Sequence, residues 1–272
     1  MSPKSAAQPG AWSSSEPALF LQQTSAVAEC DIRKLIHDPV ELLTRMIQPV
    51  LWLVVFGQVF ARTRAIPTGG LRYLDFMAPG ILAQSVLFGA IFYGISLIWE
   101  RDLGIVHKFL VSPAPRTALV LGRAVSSAVR GLCQAVVVYL LASLLGVQLR
   151  VEARAIAGVA AVVSLGAATF STFSLIAACL VKSRERFMGI GQVLTMPLFF
   201  ASNAIYPLAM MPAWLRSLSA ANPLTYQVDA LRFLMVQGSR SEFGLGFDVA
   251  IEMLALAVLV AAAAKLYPTI IR

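Results

Sequence analysis

The chain has 272 residues, of which 58% are apolar and only 13% are charged, with a formal net charge of +8. Together with a mean hydropathy of +0.76, this composition excludes an ordinary soluble globular domain and predicts an integral membrane protein. Since no separate basic domain is visible, we attribute the positive charge to contact with membrane lipids and expect no nucleic-acid partner. Three cysteines and two histidines indicate neither a disulfide framework nor a metal site.

The first 38 residues precede any membrane span. Residues 1–17 are rich in serine, proline and alanine and have no apolar core, so they predict a disordered cytoplasmic tail rather than a cleaved signal. Residues 18–38 predict an amphipathic helix at the membrane interface, with Leu21 and Ile32 on its apolar face and Arg33 away from it.

Six apolar segments follow, and a helix of about 20 residues crosses about 30 Å of hydrocarbon. The sequence therefore predicts an all-α membrane domain with six transmembrane helices within residues 40–267. The uncharged or nearly uncharged segments are 46–61, 76–98, 131–149, 155–181, 187–206 and 249–267.

Lysine and arginine are distributed unequally between the two sides of this arrangement. With both termini in the cytoplasm, the cytoplasmic segments carry 12 of these residues and the opposite side carries 8. The short loop 182–187 alone contributes Lys182, Arg184 and Arg186. By the positive-inside rule, we predict a multi-pass plasma (inner) membrane protein with both termini in the cytoplasm.

The loop between spans 2 and 3, residues 99–123, is more than a simple connection. It begins with Glu100, Arg101 and Asp102, continues through an amphipathic piece at 105–111, and ends at a Pro-x-Pro sequence. Prolines restrict the backbone and stop helices, so they set the length and the angle of a short helix here. We predict that this helix contacts a cytoplasmic partner; the alternative is a helix that only lies among lipid headgroups.

No enzyme motif was found that would supply energy or catalysis. The sequence lacks a phosphate-binding loop, an H-E-x-x-H motif and a G-x-S-x-G motif, so we expect neither a catalytic residue nor a cofactor bound by this chain. We also expect no carboxylate deep in the membrane, since six acidic residues fall at or outside the predicted span ends. These are Asp75, Glu152, Asp229, Glu242, Asp248 and Glu252. Energy for uphill transport would have to come from a partner.

Residues 207–246 are too polar for a span and too apolar for a free loop. Asn222 and Pro223 predict a helix N-cap and first turn. We predict two short helices, about 212–220 and 223–237, that dip into the outer leaflet as an extracellular gate, with Asp229 and Arg232 paired on one helix face. The alternative is a surface hairpin without function.

A few polar residues in the spans are candidates for a substrate path. Arg116, Arg123 and Arg130 recur every seven residues on one helical stripe. The stripe predicts contact with lipid phosphates or, at Arg130, a point of access for an anionic or amphiphilic substrate. The other candidates share the fifth segment and its end, where contacts between helices are the alternative explanation. They are Gln192, Thr195, Met196, Phe199 and Asn203.

Two motifs resemble one known family of membrane proteins. The run E-R-D-x-G-x-x-x-K-F-L-x-S-P-x-P-R at 100–116 resembles the coupling-helix region of ABC-2-type exporter permeases. The segments I-Y-P-L-A-M-M-P-A-W-L at 205–215 and N-P-L-T-Y-Q-V-D-A-L-R at 222–232 are similar to the segment before the last span, notably in the daunorubicin-resistance branch. With the six-span plan, the resemblance covers roughly residues 20–267.

The resemblance implies a permease dimer, from two identical or two similar chains, driven by two ATP-binding cassette subunits that bind ATP and Mg²⁺. It implies that a coupling helix between spans 2 and 3 receives the motion of the ATPase. The residues carried over to this coupling surface are Glu100, Arg101, Gly104, Lys108, Phe109, Leu110, Pro113, Pro115 and Arg116.

The substrate is the least specified part of the prediction. Spans with aromatic, methionine and uncharged polar side chains favour a hydrophobic or amphiphilic substrate, a drug or a lipid. Two alternatives stay open at this point: a permease that exports polysaccharide, and a six-span channel or secondary carrier without an ATPase.

Overall fold

The computed structural model describes residues 47–63, 66, 68–106, 115–181 and 183–267, together with 20, 23–29, 33 and 44. The regular secondary structure in this part of the chain is helical, apart from one isolated β-bridge between Leu149 and Val236. The helices are α1 (47–63, with a π-helical section at Trp52–Phe56), α2 (Tyr73–Asp102), α3 (Arg116–Leu144), α4 (Ala153–Leu180), α5 (Arg184–Phe200), α6 (Ala213–Ala220), α7 (Pro223–Met235) and α8 (Leu245–Leu266).

Four of the described helices are long and apolar enough to cross a membrane: α2, α3, α4 and α8. They occupy the predicted positions of spans 2, 3, 4 and 6. The helices at the first and fifth positions are shorter; α5 has 17 residues, and the apolar part of α1 covers Ile47–Phe60. An all-α fold with several apolar helices is therefore confirmed, whereas the count of six spans stays a prediction.

Helix α4 lies at the centre of the fold and packs against α2, α3, α7 and α8. Small residues allow these close approaches, as they do in membrane proteins generally. A Cβ on Gly94 of α2 would overlap the Ser174 hydroxyl of α4, and a Cβ on Gly131 of α3 would lie 3.1 Å from the Ala167 Cβ of α4. The Ser174 hydroxyl also donates to the Ile91 carbonyl of α2. These contacts fix α2 and α3 on the central helix.

Helix α7 runs antiparallel to α4 and begins beside its middle. Gln227 packs against Gly166, and Leu234, two turns later, packs against Gly158. After α7 the chain reaches the bridge between Val236 and Leu149, which precedes α4. A helix of 13 residues is about 20 Å long, so α7 covers roughly the first half of α4.

Several predicted boundaries differ from the structure. The charge-free run 131–149 was assigned to span 3, but α3 begins at Arg116 and ends at Leu144. The chain turns at Gly146, whose φ of 73° is in the left-handed region that favours glycine. Helix α3 therefore includes the arginines at 116, 123 and 130, as their helical stripe predicted, and extends further towards the N-terminus than the charge-free run.

Two predicted segments fall largely outside the described residues. The tail at 1–17 and most of the coupling helix, including Lys108, Phe109, Leu110 and Pro113, lie there. Of the interfacial segment 18–38, residues 23–29 are helical, and Thr24 and Val27 lie directly over Gly122 of α3. The description of the N-terminal helix as amphipathic and interfacial stays a prediction.

Candidate functional site

The end of α2 is tied to the start of α5 by a cluster of charged side chains. Arg184 donates to Asp102 Oδ2 from Nε at 3.0 Å and from Nη2 at 2.8 Å. Its guanidinium also stacks over the Trp99 ring, 3.4 Å from the centroid. Arg101 binds Asp102 on the other side and donates to the Val181 carbonyl at 3.3 Å. The loop after α2 and the loop before α5 therefore lie at the same end of the bundle.

In the same last turn of α2, Glu100 takes part in a buried ion pair with Arg123 of α3. Each residue is only 5% exposed. Tyr267, the residue after α8, packs in the same apolar cluster as Leu119 and Val120 of α3. The pair therefore joins the two helices that carry the loop 103–115, at a point where the end of α8 also packs.

The position of Glu100 corrects one part of the sequence-based interpretation. Glu100 was assigned to an exposed coupling surface, where it would pair with a partner. Its carboxylate is instead enclosed by the helices and neutralised within the chain by Arg123. Arg101 is partly buried in the Asp102 cluster, Gly104 turns the chain with a φ of 73°, and Pro115 and Arg116 are exposed at the start of α3. Contact of these residues with an ATPase stays a prediction.

Next to the cluster, apolar side chains are exposed at this end of α2. Trp99 is 49% exposed and Leu103 is 69% exposed. Sequence reasoning named Asp102 and Arg184 but did not predict their contact with each other or with Trp99, because this contact depends on how the ends of α2 and α5 meet. The density of arginine in the loop 182–187 was the available signal.

The residues assigned to a substrate path do not share one surface within the chain. On α5, Gln192 is exposed and Met196 is half-buried, whereas Thr195 and Phe199 are buried. Phe199 packs edge-on against Trp52 of α1 at 5.9 Å between ring centroids. The four positions are spaced i, i+3, i+4 and i+7 and share one stripe of α5, but Thr195 and Phe199 are enclosed by the chain, so the stripe does not line an open path in a single chain.

The two remaining path candidates are also separate. Arg130 is half-buried on α3, with its guanidinium 4.7 Å from the centroid of the Tyr93 ring of α2. Asn203 is fully buried in the segment after α5. A path lined by residues from two chains stays a prediction.

The segment assigned to an extracellular gate forms two helices close to the predicted bounds. As the Asn-Pro pair predicted, α7 begins at Pro223, and the Asn222 side chain accepts a hydrogen bond from the Leu224 N–H at 3.0 Å. The Asn222 amide also donates to the Leu198 carbonyl of α5 at 2.7 Å. Asn222 therefore caps α7 and fixes it to the end of α5.

The expected pairing of Asp229 with Arg232 differs from the structure. Arg232 donates to the carbonyls of Phe76 at 3.3 Å and Asn203 at 2.6 Å, and its guanidinium lies 3.8 Å from the centroid of the Phe76 ring. Asp229 accepts hydrogen bonds from residues 241–243. Each side chain is directed to a different neighbouring segment, because α7 is buried on all sides instead of presenting one face to solvent.

Two carboxylates near the start of α8 are more buried than the sequence suggested. Asp248 and Glu252 lie in the first two turns of α8, at the end of the last predicted span, and they are 0% and 1% exposed. Their spacing of four residues directs them to one helix face. The sequence did not show that Asp248 and Glu252 lie near Asp229, because these residues come from separate segments of the chain.

Comparisons with known proteins place the sequence among transporter permeases. A sequence model of the ABC-2 type transporter family matches residues 22–236. The chain is 31% identical over 222 residues to ycf38 of Cyanophora paradoxa, whose name describes a transport permease, covering 81% of this chain and 76% of the relative. It is 27% identical over 233 residues to the daunorubicin resistance ABC transporter permease protein DrrB1 of Streptomyces coeruleorubidus, covering 85% and 81%.

A third relative is the inner membrane transport permease YadH of Escherichia coli K12, which is 25% identical over 198 residues, covering 71% of this chain and 74% of the relative. The family match includes the loop after α2 and ends at the residue after α7, so it contains both motifs that carried the resemblance. The chain belongs to the ABC-2 type transporter family.

Proposed function

We propose that this chain is the membrane-spanning permease subunit of an ATP-driven exporter. The observation that carries the proposal is the family match over residues 22–236, because ABC-2 permeases in general work with ATP-binding cassette subunits. In this assembly, two ATPase subunits bind ATP and Mg²⁺, and the chain pairs with a second copy or with a similar permease.

The same proposal includes six spans. Helix α5, with 17 residues, is about 26 Å long and crosses most of a hydrocarbon layer of about 30 Å. The position of α7 beside the outer half of α4 supports a re-entrant helix that starts near the middle of the membrane. Asn222 satisfies polar groups at that start, which is required of irregular backbone at membrane depth.

The ATPase binds, in this proposal, at the end of the bundle where α2 ends and α5 begins. Two features support this location: the coupling motif between α2 and α3, and the arginine-rich loop before α5. The bonds between Asp102 and Arg184 make these two loops one continuous surface. Both termini then lie in the cytoplasm, and the protein resides in the plasma (inner) membrane.

We propose a hydrophobic or amphiphilic substrate, a drug or a lipid. Two open clefts support this class. One, of about 390 Å³, lies between α4 and α8 and includes Phe170, Phe173 and Leu254; the other, of about 400 Å³, lies between α3 and α4 and includes Val136 and Leu140. Apolar walls of this kind favour ligands that bury apolar area, at about 25 cal/mol per Å². The name of DrrB1 points to the same class of substrate.

The first test is assembly with an ATPase. The chain is co-expressed with ATP-binding cassette proteins from its source, and we expect one of them to co-purify and to hydrolyse ATP faster in its presence. A Phe109→Ala, Leu110→Ala variant should lose this stimulation, whereas Trp214→Ala, which truncates a 70% exposed side chain on the proposed outer side, should keep it. Failure of every such ATPase to associate would contradict the proposal and favour a channel or carrier.

A second test addresses the substrate. A strain without this protein should become more sensitive to hydrophobic antibiotics or lose a lipid from the outer surface. Loss of a surface glycan alone, with unchanged drug tolerance and lipid profile, would instead support polysaccharide export.

A third test addresses the orientation. In a variant without the three native cysteines, single cysteines replace Thr68, Leu218 and Glu185. A reagent that does not cross membranes should label positions 68 and 218 in intact cells and position 185 only after lysis. Labelling of position 185 from outside would reverse the proposed topology.

A further inference from the structure

Buried carboxyl groups of α7 and α8 meet at the Ser241 hydroxyl, which lies within hydrogen-bond distance of Asp229 and Asp248. Glu252 interacts electrostatically with Asp248. Asp229 on α7 and Asp248 on α8 are both 0% exposed, and Glu252, one turn further along α8, is 1% exposed. One oxygen of each group has no hydrogen-bond partner: Asp229 Oδ1, Asp248 Oδ1 and Glu252 Oε1. A buried carboxylate oxygen without a hydrogen-bond donor raises the free energy of the charged form, because burial removes its hydration.

The hydrogen-bond donors in the cluster are distributed unequally. Asp229 Oδ2 accepts from the Ser241 hydroxyl at 2.7 Å and from the backbone N–H groups of Glu242 at 2.8 Å and Phe243 at 3.2 Å. Asp248 Oδ2 lies 3.2 Å from the same hydroxyl, which has one proton and is closer to Asp229. Asp229 therefore has hydrogen-bond donors that stabilise a negative charge. Asp248 has only the Ser241 hydroxyl, which it shares with Asp229.

The nearest charged groups do not balance three carboxylates. Arg232 of α7 interacts electrostatically with Asp229 and Glu242, but its own hydrogen bonds go to the carbonyls of Phe76 and Asn203. Glu242, in the connection between α7 and α8, adds a fourth acid. Its pKa is raised by burial and by the neighbouring Asp229, against a smaller opposite effect of Arg232. Tyr226 of α7 is a further titratable neighbour, and Arg240, beside Ser241 in the same connection, is exposed.

The other two helices that pack against α8 add no cation to the cluster. Helix α4 carries one charged residue, Arg154, which is exposed in its first turn. On α3, Arg123 interacts with Tyr267 at the opposite end of α8, and the other two charged residues of α3 are Arg116 and Arg130. Three ionised carboxylates beside one arginine would leave uncompensated buried charge, and a buried carboxyl group avoids that cost by binding a proton.

We propose that Asp248 and Glu252 form a proton-binding site, in which both carboxyl groups are protonated at neutral pH and hold α8 against α7. A protonated Asp248 donates its O–H to the Ser241 oxygen or to Asp229, so the repulsion between two carboxylates becomes a hydrogen bond. Deprotonation releases H⁺ to water, leaves adjacent carboxylates, and weakens the contact between the two helices. This function is separate from the proposed transport and does not require an ATPase.

Infrared spectroscopy of the purified protein in lipid tests the proposal directly. Protonated carboxyl groups have a C=O stretch that is separate from the carboxylate bands and shifts in D₂O. We expect this band at pH 7 in the natural chain, a smaller band in Asp248→Asn and in Glu252→Gln, and its loss in the double variant. Glu152→Gln, which changes an exposed carboxylate before α4, should leave the band unchanged. A natural chain without the band at pH 7, or a double variant that keeps it, would overturn the proposal.

Thermal unfolding as a function of pH gives a second readout. A group that is protonated in the folded protein and ionised in the unfolded chain makes stability fall as pH rises, because the unfolded state binds fewer protons. Each such proton raises the unfolding equilibrium constant by up to about tenfold per pH unit. The natural chain should show this decline from about pH 5 upward, where the carboxyl groups of the unfolded chain are already ionised, and Asp248→Asn should reduce it. Since asparagine resembles a neutral aspartic acid, an Asp248→Asn variant that cannot fold would count against the proposal.

Discussion

The buried pair of Glu100 and Arg123 allows a quantitative prediction. Both residues are 5% exposed, so Glu100→Gln leaves a guanidinium inside the helix bundle without its carboxylate. Removing one partner of a buried ion pair costs about 3–5 kcal/mol. An exposed pair in the same chain serves as the control: Arg33 binds Glu29 at 2.6 Å, with side chains 73% and 62% exposed. Exposed pairs contribute about 0–1 kcal/mol, so Glu29→Gln should change stability by no more than that.

The measurement is the free energy of unfolding in detergent, followed by helix content, for both single variants and for a double-mutant cycle. Arg123→Met removes the charge but keeps much of the apolar side chain. The variant with both Glu100→Gln and Arg123→Met should be more stable than the sum of the two single losses predicts, because no buried charge is left unpaired. A Glu100→Gln loss no larger than that of Glu29→Gln, or additive losses in the cycle, would refute the reasoning.

Three further predictions concern the contacts around the candidate site. Gly80→Ala should destabilise the protein by about 1–3 kcal/mol, because the new Cβ would lie 2.8 Å from the Ala204 carbonyl carbon and overlap its oxygen. Gly246→Ala should not destabilise it, because the space around Gly246 is open. Thermal unfolding of the two variants measures the difference. Asn222→Ala should cost about 1–2 kcal/mol by removing the cap of α7, and unchanged unfolding would show that the cap contributes nothing. Asp102→Asn removes the ion pair with Arg184, in which both side chains are partly exposed. It should change the free energy of unfolding by less than about 1 kcal/mol but reduce the stimulation of a bound ATPase. Full stimulation would contradict a role of Asp102 in coupling.

Much of the helical arrangement could be predicted because its signals are local. Long apolar runs mark α2, α4 and α8, and the Asn-Pro pair at 222–223 marks the N-cap and the first residue of α7. The Pro-x-Pro sequence and Arg116 marked the beginning of α3, whereas its end at Leu144 was missed, because the charge-free run continues to 149. Arg123 is accommodated inside the bundle by a carboxylate from another helix, which no local pattern indicates.

The tertiary contacts of the candidate site were not predictable in the same way. Glu100 and Arg123 are 23 positions apart, and Arg184 is 82 positions from Asp102. A helical pattern shows which residues share a face, but it does not show which face of another helix they meet. For that reason Glu100 was assigned to the surface, and Asp229 was assigned to its neighbour Arg232 on the same helix.

The contacts of α7 have a consequence for any movement of the proposed gate. Its first turn is fixed to α5 through Asn222, and near its other end Arg232 binds the backbone of Phe76 in α2 and of Asn203 in the segment after α5. Arg232 as a whole residue is 4% exposed, so these carbonyls are acceptors that water does not readily replace. A movement of α7 by itself would leave an unpaired charge inside the protein, at a cost of several kcal/mol. A transport cycle that opens this side therefore has to move α7 together with α2 and the segment after α5, and α2 is also the helix that carries the proposed ATPase contact at its opposite end.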